Sequence, residues 1–82
     1  MAGYHISEIK KGIFGHLSKI QEELDELKDA EMQGVRILML VELSDLVGAI
    51  EQYLKIHLPG YTLHDLQEMA ALTRKAFKEG RR

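Results

Sequence analysis

The strongest constraint on the fold is an apolar segment, residues 35–58, that has the length of a helix but no polar face. Its large apolar side chains do not share one helical stripe; they include Leu38, Met39, Leu40, Val41, Leu43, Leu46, Val47 and Ile50. A helix that is apolar on all sides is normally buried on all sides. Between Ile37 and Ile50 only Glu42 and Asp45 are charged. The segment therefore needs several packing partners, and its carboxylates need a cation, a proton or water.

The residues before this segment predict an amphipathic helix over residues 7–32. Its apolar stripe advances in steps of three and four residues and is formed by Ile13, Leu17, Ile20, Leu24 and Leu27. Ser7 is the expected N-cap and Gly34 the expected C-cap. Gly12 and Gly15 each cost about 1 kcal/mol relative to alanine inside a helix, which favours a bend or a break in the first turns.

A third helix is predicted over residues 63–79, with Thr62 as its N-cap and Gly80 as its end. No segment alternates in the manner of a strand, so the fold class is all-α, in one domain that comprises residues 1–82. The short connection at Gly34 predicts an antiparallel hairpin, with the third helix returning across it. Because these helices cannot cover the apolar segment completely, we expect two chains to pair through it and complete a four-helix bundle.

Acidic residues of the first two helices are spaced so that they converge. Glu42 and Asp45 project about 60° apart on one helix face, and Glu23 and Glu26 repeat that spacing on the first helix. Glu26 lies eight residues before Gly34 and Glu42 lies eight residues after it. The hairpin therefore brings the two pairs of carboxylates to a similar height, where they can share a metal ion.

Carboxylate ligands without cysteine or histidine favour Mg²⁺, Mn²⁺ or Ca²⁺, and Mg²⁺ commonly binds substrate phosphates as well. His16 and Lys19 continue the flank that carries Glu23, so Lys19 is a candidate phosphate contact. Taken alone, Glu22, Glu23 and Glu26 of the first helix are more typical of a solvated helix face than of a metal site. That alternative does not explain acids inside the apolar segment. No Glu-x-x-His sequence occurs, which disfavours a carboxylate-bridged di-iron bundle.

The acidic pattern resembles the signature of MazG-type nucleotide pyrophosphohydrolases, in the all-α NTP pyrophosphatase superfamily. It reads EExxE at residues 22–26 and, after 15 intervening residues, ExxD at residues 42–45. Residues 11–15, 19–23 and 42–50 are similar to the small MazG-like proteins of phage and bacteria. The likeness implies hydrolysis of a nucleoside triphosphate to the monophosphate and pyrophosphate, with a metal-activated water attacking the α-phosphate. The Mg²⁺ ligands that it implies are Glu23, Glu26, Glu42 and Asp45, and the catalytic residues are Glu22 and Glu23.

Basic residues crowd the end of the chain. Arg74, Lys78 and Arg81 fall at i, i+4 and i+7 of the third helix and are candidate phosphate contacts. The alternative is a helix C-terminus that favours cations, followed by a solvated tail. Sites in the superfamily are commonly completed by another subunit, so a homodimer or homotetramer is expected. Aromatic residues that are candidates for stacking on a base, although each is more often core or interface, are Tyr53, Tyr61 and Phe77.

Composition limits the location and the partners. The net charge of −2 gives no general attraction to nucleic acid, and the chain has no cysteine, so it can work in a reducing cytoplasm. Residues 1–11 lack an apolar core of signal-peptide length, and charges interrupt the longest apolar run. We therefore expect a soluble cytoplasmic protein that binds neither nucleic acid nor membrane.

Two other functions remain open from the sequence. A helical dimerisation module without enzymatic activity would account equally well for the apolar segment. A relative with another substrate, such as a dimeric dUTPase or a phosphoribosyl-ATP pyrophosphohydrolase, would share the acidic signature. Neither the preferred base nor the preferred sugar follows from the residues named above.

Overall fold

The computed structural model describes residues 5–80, and within that range every regular element is an α-helix. The helices are α1 (Leu17–Gln33), α2 (Arg36–His57) and α3 (Leu63–Lys78). The predicted all-α class is confirmed, and the bounds of α2 and α3 agree with the prediction to within one residue. None of the helices formed by the described residues combines the length and the hydropathy that a membrane span requires.

The first helix starts much later than predicted, at Leu17 rather than near residue 7. Residues 5–16 instead form irregular backbone that runs beside α1 and turns at Gly15, where φ is +86°. Ser7 is not an N-cap, because its N–H donates to the Asp29 carboxylate 22 residues further on, at 2.9 Å. The glycine-containing stretch thus breaks the predicted helix instead of bending it.

The turn between α1 and α2 is formed as predicted. Gly34 has φ +72° and ends α1 in the left-handed conformation, with its N–H directed to the carbonyl oxygens of Ala30 and Glu31. A non-glycine residue is strained in that conformation, which explains why glycine stands here. The short connection lets α2 pack antiparallel along α1, and this hairpin is the main tertiary contact of the chain.

Helix α3 is well capped but sparsely packed. The Thr62 hydroxyl accepts from the Asp65 N–H at 3.2 Å, and the Asp65 carboxylate accepts from the Thr62 N–H at 2.8 Å, which is a complete capping box. Among the described residues α3 packs against α2 and not against α1, and none of its side chains is buried. The prediction that the third helix returns across both helices of the hairpin is therefore wrong.

The interior of the hairpin is acidic, whereas large apolar side chains face outward. The buried charged residues are Glu22, Glu23, Glu26, Asp29 and Glu42, and the buried apolar side chains are Ala30, Ala49 and Leu54. On α2, Ile37, Leu40 and Val47 are 68%, 62% and 44% exposed. The accessible surface is 6229 Å², against about 5,000 Å² for a compact monomer of this mass. A single chain thus leaves the apolar side of α2 uncovered.

Candidate metal centre

Four carboxylates meet between the two helices of the hairpin. Glu23 and Glu26 come from α1, and Glu42 and Asp45 come from α2; each offers one oxygen, and all these oxygens lie within 4.8 Å of one another. We call these four residues the carboxylate group. The spacing of three residues on each helix, combined with the register set by Gly34, produces the convergence. The structure therefore brings together all four residues that the sequence suggested as metal ligands.

Burial makes the charges of the carboxylate group unfavourable. Glu42 is 0% exposed, Glu23 is 6% exposed and Glu26 is 8% exposed, while Asp45 lies at the exposed edge. Burial raises the pKa of Glu42, and the neighbouring Asp45 charge adds to that rise although His5 opposes it. Burial also raises the pKa of Glu23, and its neighbour Glu26 adds to the effect. Ionisation of Glu23 and Glu42 is thus disfavoured unless a cation is present.

Three buried oxygens of the carboxylate group have no hydrogen-bond partner among residues 5–80. These atoms are Glu23 Oε1 and both oxygens of Glu42, of which Oε2 lies 3.0 Å from His5 Nε2. A buried acceptor without a donor costs about 1–3 kcal/mol, and more when the group is charged. A divalent ion removes that cost, and an all-oxygen donor set suits Mg²⁺ or Mn²⁺. The residues present therefore fit a hard divalent ion, which would be held by Glu23, Glu26, Glu42 and Asp45.

Lys19 stands at the edge of the carboxylate group, one turn before Glu23. Its Nζ lies 3.1 Å from Glu22 Oε1 and 3.3 Å from Glu23 Oε2. Burial opposes the charge of the Lys19 ammonium, but its hydrogen bonds to these two carboxylates outweigh burial and raise its pKa. Lys19 is therefore a fixed positive charge beside the four acids, in the position expected of a phosphate contact.

Glu22 does not belong to the carboxylate group. Its Oε1 accepts from the Gly12 N–H at 2.8 Å and from Lys19 Nζ, and its Oε2 lies 3.9 Å from Lys11 Nζ. Burial alone would raise the pKa of Glu22, but the Gly12 amide and Lys19 lower it. In this position Glu22 fastens the irregular N-terminal segment to α1 and orients Lys19. Its predicted catalytic role stays a prediction.

A cleft of about 280 Å³ opens beside the carboxylate group. Its lining combines residues of α1, of α2 and of the segment before α1: Phe14, Lys19, Glu23, Ser44, Asp45, Gly48, Ala49, Glu51 and Gln52. Phe14 is 62% exposed and supplies the aromatic side chain of this cleft, whereas the suggested Tyr53, Tyr61 and Phe77 do not line it. Phe14 was not predicted as a site residue, because its position falls in the predicted first helix and not in the irregular segment that the structure shows.

His5 is the second residue near the carboxylate group that was not predicted from the sequence. Its Nε2 lies 3.0 Å from Glu42 Oε2 and 3.9 Å from Glu26 Oε1, and its Nδ1 lies 2.8 Å from Asp29 Oδ2. The ligand set predicted from the sequence contains carboxylates only, and His5 adds an imidazole nitrogen beside it. No spacing pattern signals this contact, because His5 precedes Asp29 by 24 residues and lies in irregular backbone.

Asp29 holds His5 and the start of the described chain in place. Its carboxylate also accepts from the Ile6 N–H at 3.1 Å, the Ser7 N–H at 2.9 Å and Gln33 Nε2 at 2.8 Å. Burial by itself would raise the pKa of Asp29, but the hydrogen bonds from Ser7, His5, Gln33 and Ile6 lower it far below the usual range. Asp29 therefore acts as an ionised anchor for the strap formed by residues 5–12, which we call the N-terminal strap.

The basic residues of α3 are not brought to the cleft within one chain. Arg74 and Lys78 are exposed, and neither lines the cleft beside the carboxylate group. Arg81, the third residue suggested from the sequence, lies outside the described residues. These cations could contact a substrate in this cleft only if another copy of the chain supplied them.

Comparison of the chain with protein-family models, with curated proteins and with solved structures finds no match. The acidic signature at residues 22–26 and 42–45 thus stands as a resemblance of motif.

Proposed function

We propose that this protein is a Mg²⁺-dependent nucleoside triphosphate pyrophosphohydrolase, which releases pyrophosphate and a nucleoside monophosphate. The observation that carries the proposal is the carboxylate group itself, in which buried oxygens without donors lie beside an open cleft that also contains Lys19. A group of this kind needs a divalent cation, and a hard cation beside a lysine attracts a phosphate chain.

Each residue of the site has a chemical task in this reaction. Bound Mg²⁺ would neutralise phosphate charge and lower the pKa of a water molecule. Lys19 would contact a phosphate oxygen, and Glu22 holds the ammonium of Lys19 at the edge of the cleft. Phe14 offers an exposed ring that can stack on a base. Ser44 and Gln52, which also line the cleft, supply hydrogen-bonding groups for the rest of the nucleotide.

We further propose that the active form is a homodimer, or a pair of homodimers, that buries the apolar side of α2. The radius of gyration of 15.0 Å exceeds the value of about 12 Å typical of a compact domain of this length. Exposed Ile37, Leu40 and Val47 give α2 the apolar surface that a four-helix bundle needs. In such an assembly Arg74, Lys78 and Arg81 of one copy would be able to reach the cleft of the other.

The same exposed surface favours a second candidate, a helical dimerisation module without enzymatic activity. That candidate accounts for the apolar side of α2 and would pair Glu42 and Asp45 with Arg or Lys across the interface. Such pairing is disfavoured for Glu42, because its side chain is already 0% exposed within one chain. A relative with another substrate, of the dUTPase or phosphoribosyl-ATP pyrophosphohydrolase kind, would use the same metal centre. Measuring pyrophosphate release from each substrate in turn distinguishes these activities from one another.

The test measures pyrophosphate release from a panel of NTPs and dNTPs, including dUTP, and from phosphoribosyl-ATP, with Mg²⁺ and with EDTA. We expect release only with Mg²⁺, and a loss of at least about 100-fold in Glu42→Gln, because that substitution removes a metal ligand. Glu31→Gln, which changes an exposed carboxylate of the same hairpin, is the matched control and should retain wild-type activity. Release that ignores Mg²⁺ or survives Glu42→Gln would contradict the proposal.

A further inference from the structure

We propose that His5 Nε2 forms a second cation site together with Glu26 and Glu42, and that this site selects a borderline ion such as Zn²⁺ or Co²⁺ over Mg²⁺. Ligand atoms of these three residues lie within 4.8 Å of one another. The inference rests on the proposed function in that both sites share Glu26 and Glu42. It adds a nitrogen donor, which the carboxylate group does not have.

The orientation of the imidazole ring is fixed from the side opposite the carboxylates. Asp29 accepts hydrogen bonds from Ile6, Ser7 and Gln33, so its carboxylate is an acceptor and His5 Nδ1 is the donor in the 2.8 Å contact. The Nε2 atom is then directed at Glu42 and Glu26. Histidines that bind metals are usually oriented by such a hydrogen bond from the other ring nitrogen to a carboxylate.

The distances suit ligands of one ion. Two ligands that are each about 2.1 Å from an ion stand about 3.0 Å apart at a right angle and about 4.2 Å apart in opposite positions. His5 Nε2 lies 3.0 Å from Glu42 Oε2 and 3.9 Å from Glu26 Oε1, both within that interval. The His5 side chain is 5% exposed, so the surrounding protein already excludes most of the solvent.

The carboxylates can serve both sites at once. Glu42 Oε2 lies 3.0 Å from His5 Nε2, and Glu42 Oε1 is a second buried oxygen that has no hydrogen-bond partner among residues 5–80. One oxygen can thus bind the ion at His5 while the other serves the carboxylate group. Imidazole nitrogen binds Zn²⁺ and Co²⁺ strongly, and Mg²⁺ prefers oxygen ligands and water, so the two sites should differ in ion preference.

A direct test observes the ring nitrogens of His5 by long-range ¹H–¹⁵N correlation NMR, on the full chain without nucleotide, before and after addition of Zn²⁺. The chain has four histidines, and the variant H16Q/H57Q/H64Q leaves His5 as the remaining one, which assigns its signals. We expect Nε2 to shift to a metal-bound position while Nδ1 stays protonated. An Nε2 signal that does not respond to Zn²⁺, or a ring with both nitrogens protonated throughout, would overturn the second site.

Metal titration calorimetry supplies an independent measurement. His5→Gln should weaken Zn²⁺ binding by at least about tenfold and change Mg²⁺ binding by less than about threefold. His64→Gln is the matched control, since the His64 side chain is 75% exposed and pairs with Glu68 on α3. Equal losses for both ions, or none, would contradict the assignment. Because neither experiment contains a nucleotide, Zn²⁺ can bind at His5 even if pyrophosphate release fails, and the reverse outcome is equally recognisable.

Discussion

Glu42 lies on α2, whose other large side chains are mostly apolar. It is nevertheless the most deeply buried residue of that helix, with 0% of its surface exposed. Its surroundings are Glu26, Asp45 and His5, and burial with the Asp45 charge raises its pKa. A carboxyl with a raised native pKa binds protons more readily in the native state than in the unfolded chain. Native stability therefore falls as the pH rises from its ordinary pKa of 4.5 through the raised value, unless a cation is bound.

Substitution of Glu42 tests how its buried charge affects the stability of the fold. Glu42→Gln should raise the melting temperature in EDTA at pH 7 by roughly 4–8 °C, which corresponds to about 1 kcal/mol for a domain of this length. The same substitution should remove most of the additional stability that the wild type gains from Mg²⁺. Thermal denaturation followed by circular dichroism measures both effects, with Glu31→Gln as the control. A variant that melts below the wild type in EDTA would show that the Glu42 charge stabilises the metal-free fold.

Asp29 shows the opposite behaviour because its hydrogen bonds favour the ionised form. Its lowered pKa means that its stabilising contribution is complete above the unfolded pKa of 3.8 and is lost as the pH falls through the native value. Asp29→Asn should therefore lower the urea midpoint at pH 7 and release the N-terminal strap. The difference from the wild type should shrink as the pH is lowered below 3.8.

Urea unfolding at several pH values checks the Asp29 prediction. Asp25→Asn is the matched control, because Asp25 accepts an exposed hydrogen bond from Gln21 at 2.9 Å. Its effect should be small at every pH. A difference between Asp29→Asn and the wild type that stays constant into acid would mean that the amide and the carboxylate hold the strap equally well.

Two glycines set the geometry of the elements around the site. Gly34 ends α1 with φ +72° and determines the register that aligns the two pairs of acids. Gly15, with φ +86°, turns the chain into α1 and lies against Ile56 of α2. The hairpin and the path of the N-terminal strap thus depend on backbone conformations that glycine adopts without strain.

Gly15 is the more sensitive of these two glycines to substitution. Gly34→Ala should cost about 1–2 kcal/mol, because a Cβ there meets open space and only the left-handed backbone is penalised. Gly15→Ala should cost more, since its Cβ would also collide with the Ile56 side chain. Free energies of unfolding from urea titrations give the comparison. Equal costs, or a larger cost at Gly34, would show that the Gly15 turn relaxes readily.

At the scale of the whole molecule, the hairpin reverses the usual arrangement of a helical domain, because charged side chains are buried and large apolar side chains are exposed. Charged side chains lie between α1 and α2, and the side of α2 opposite Glu42 exposes Ile37, Leu40 and Val47. The accessible surface of 6229 Å² exceeds the roughly 5,000 Å² of a compact monomer by about 1,200 Å², which is more than the roughly 800 Å² that each partner buries in a standard interface. In the proposed homodimer, a second copy would cover this side and supply the apolar core that one chain lacks.

Leu40→Lys tests this arrangement. Leu40 is 62% exposed, so the substitution costs little in a monomer, but it would place a charge in the core of a dimer. We expect the wild type to sediment as a dimer or larger at micromolar concentration and Leu40→Lys to dissociate. Analytical ultracentrifugation gives the masses, and Gln67→Lys on α3 is the control for added charge. A wild type that remains monomeric at high concentration would refute the proposed assembly.

Local sequence signals were sufficient for α2, for α3, for the end of α1 and for the carboxylate group. Apolar periodicity, the capping residue Thr62 and the stop at Gly34 depend on residues within one or two turns of each other, and the structure has α2 and α3 where these signals place them. The convergence of Glu26 with Glu42 follows from the same information, since a short turn and a fixed rise per residue leave one register. The position of the main site was therefore encoded locally.

Contacts between distant residues decided the rest. The N-terminal strap is not helical because Asp29 and Glu22 accept its N–H groups, and this competition between helix and side chain has no periodic signature. Only the tertiary structure could place His5 against Glu42 and Phe14 in the cleft. The tertiary structure also decided which side of α2 is covered, because the sequence of a helix that is apolar all round does not favour burial of one side over another. Sequence periodicity fixes where a helix lies along the chain, whereas burial depends on what packs against it.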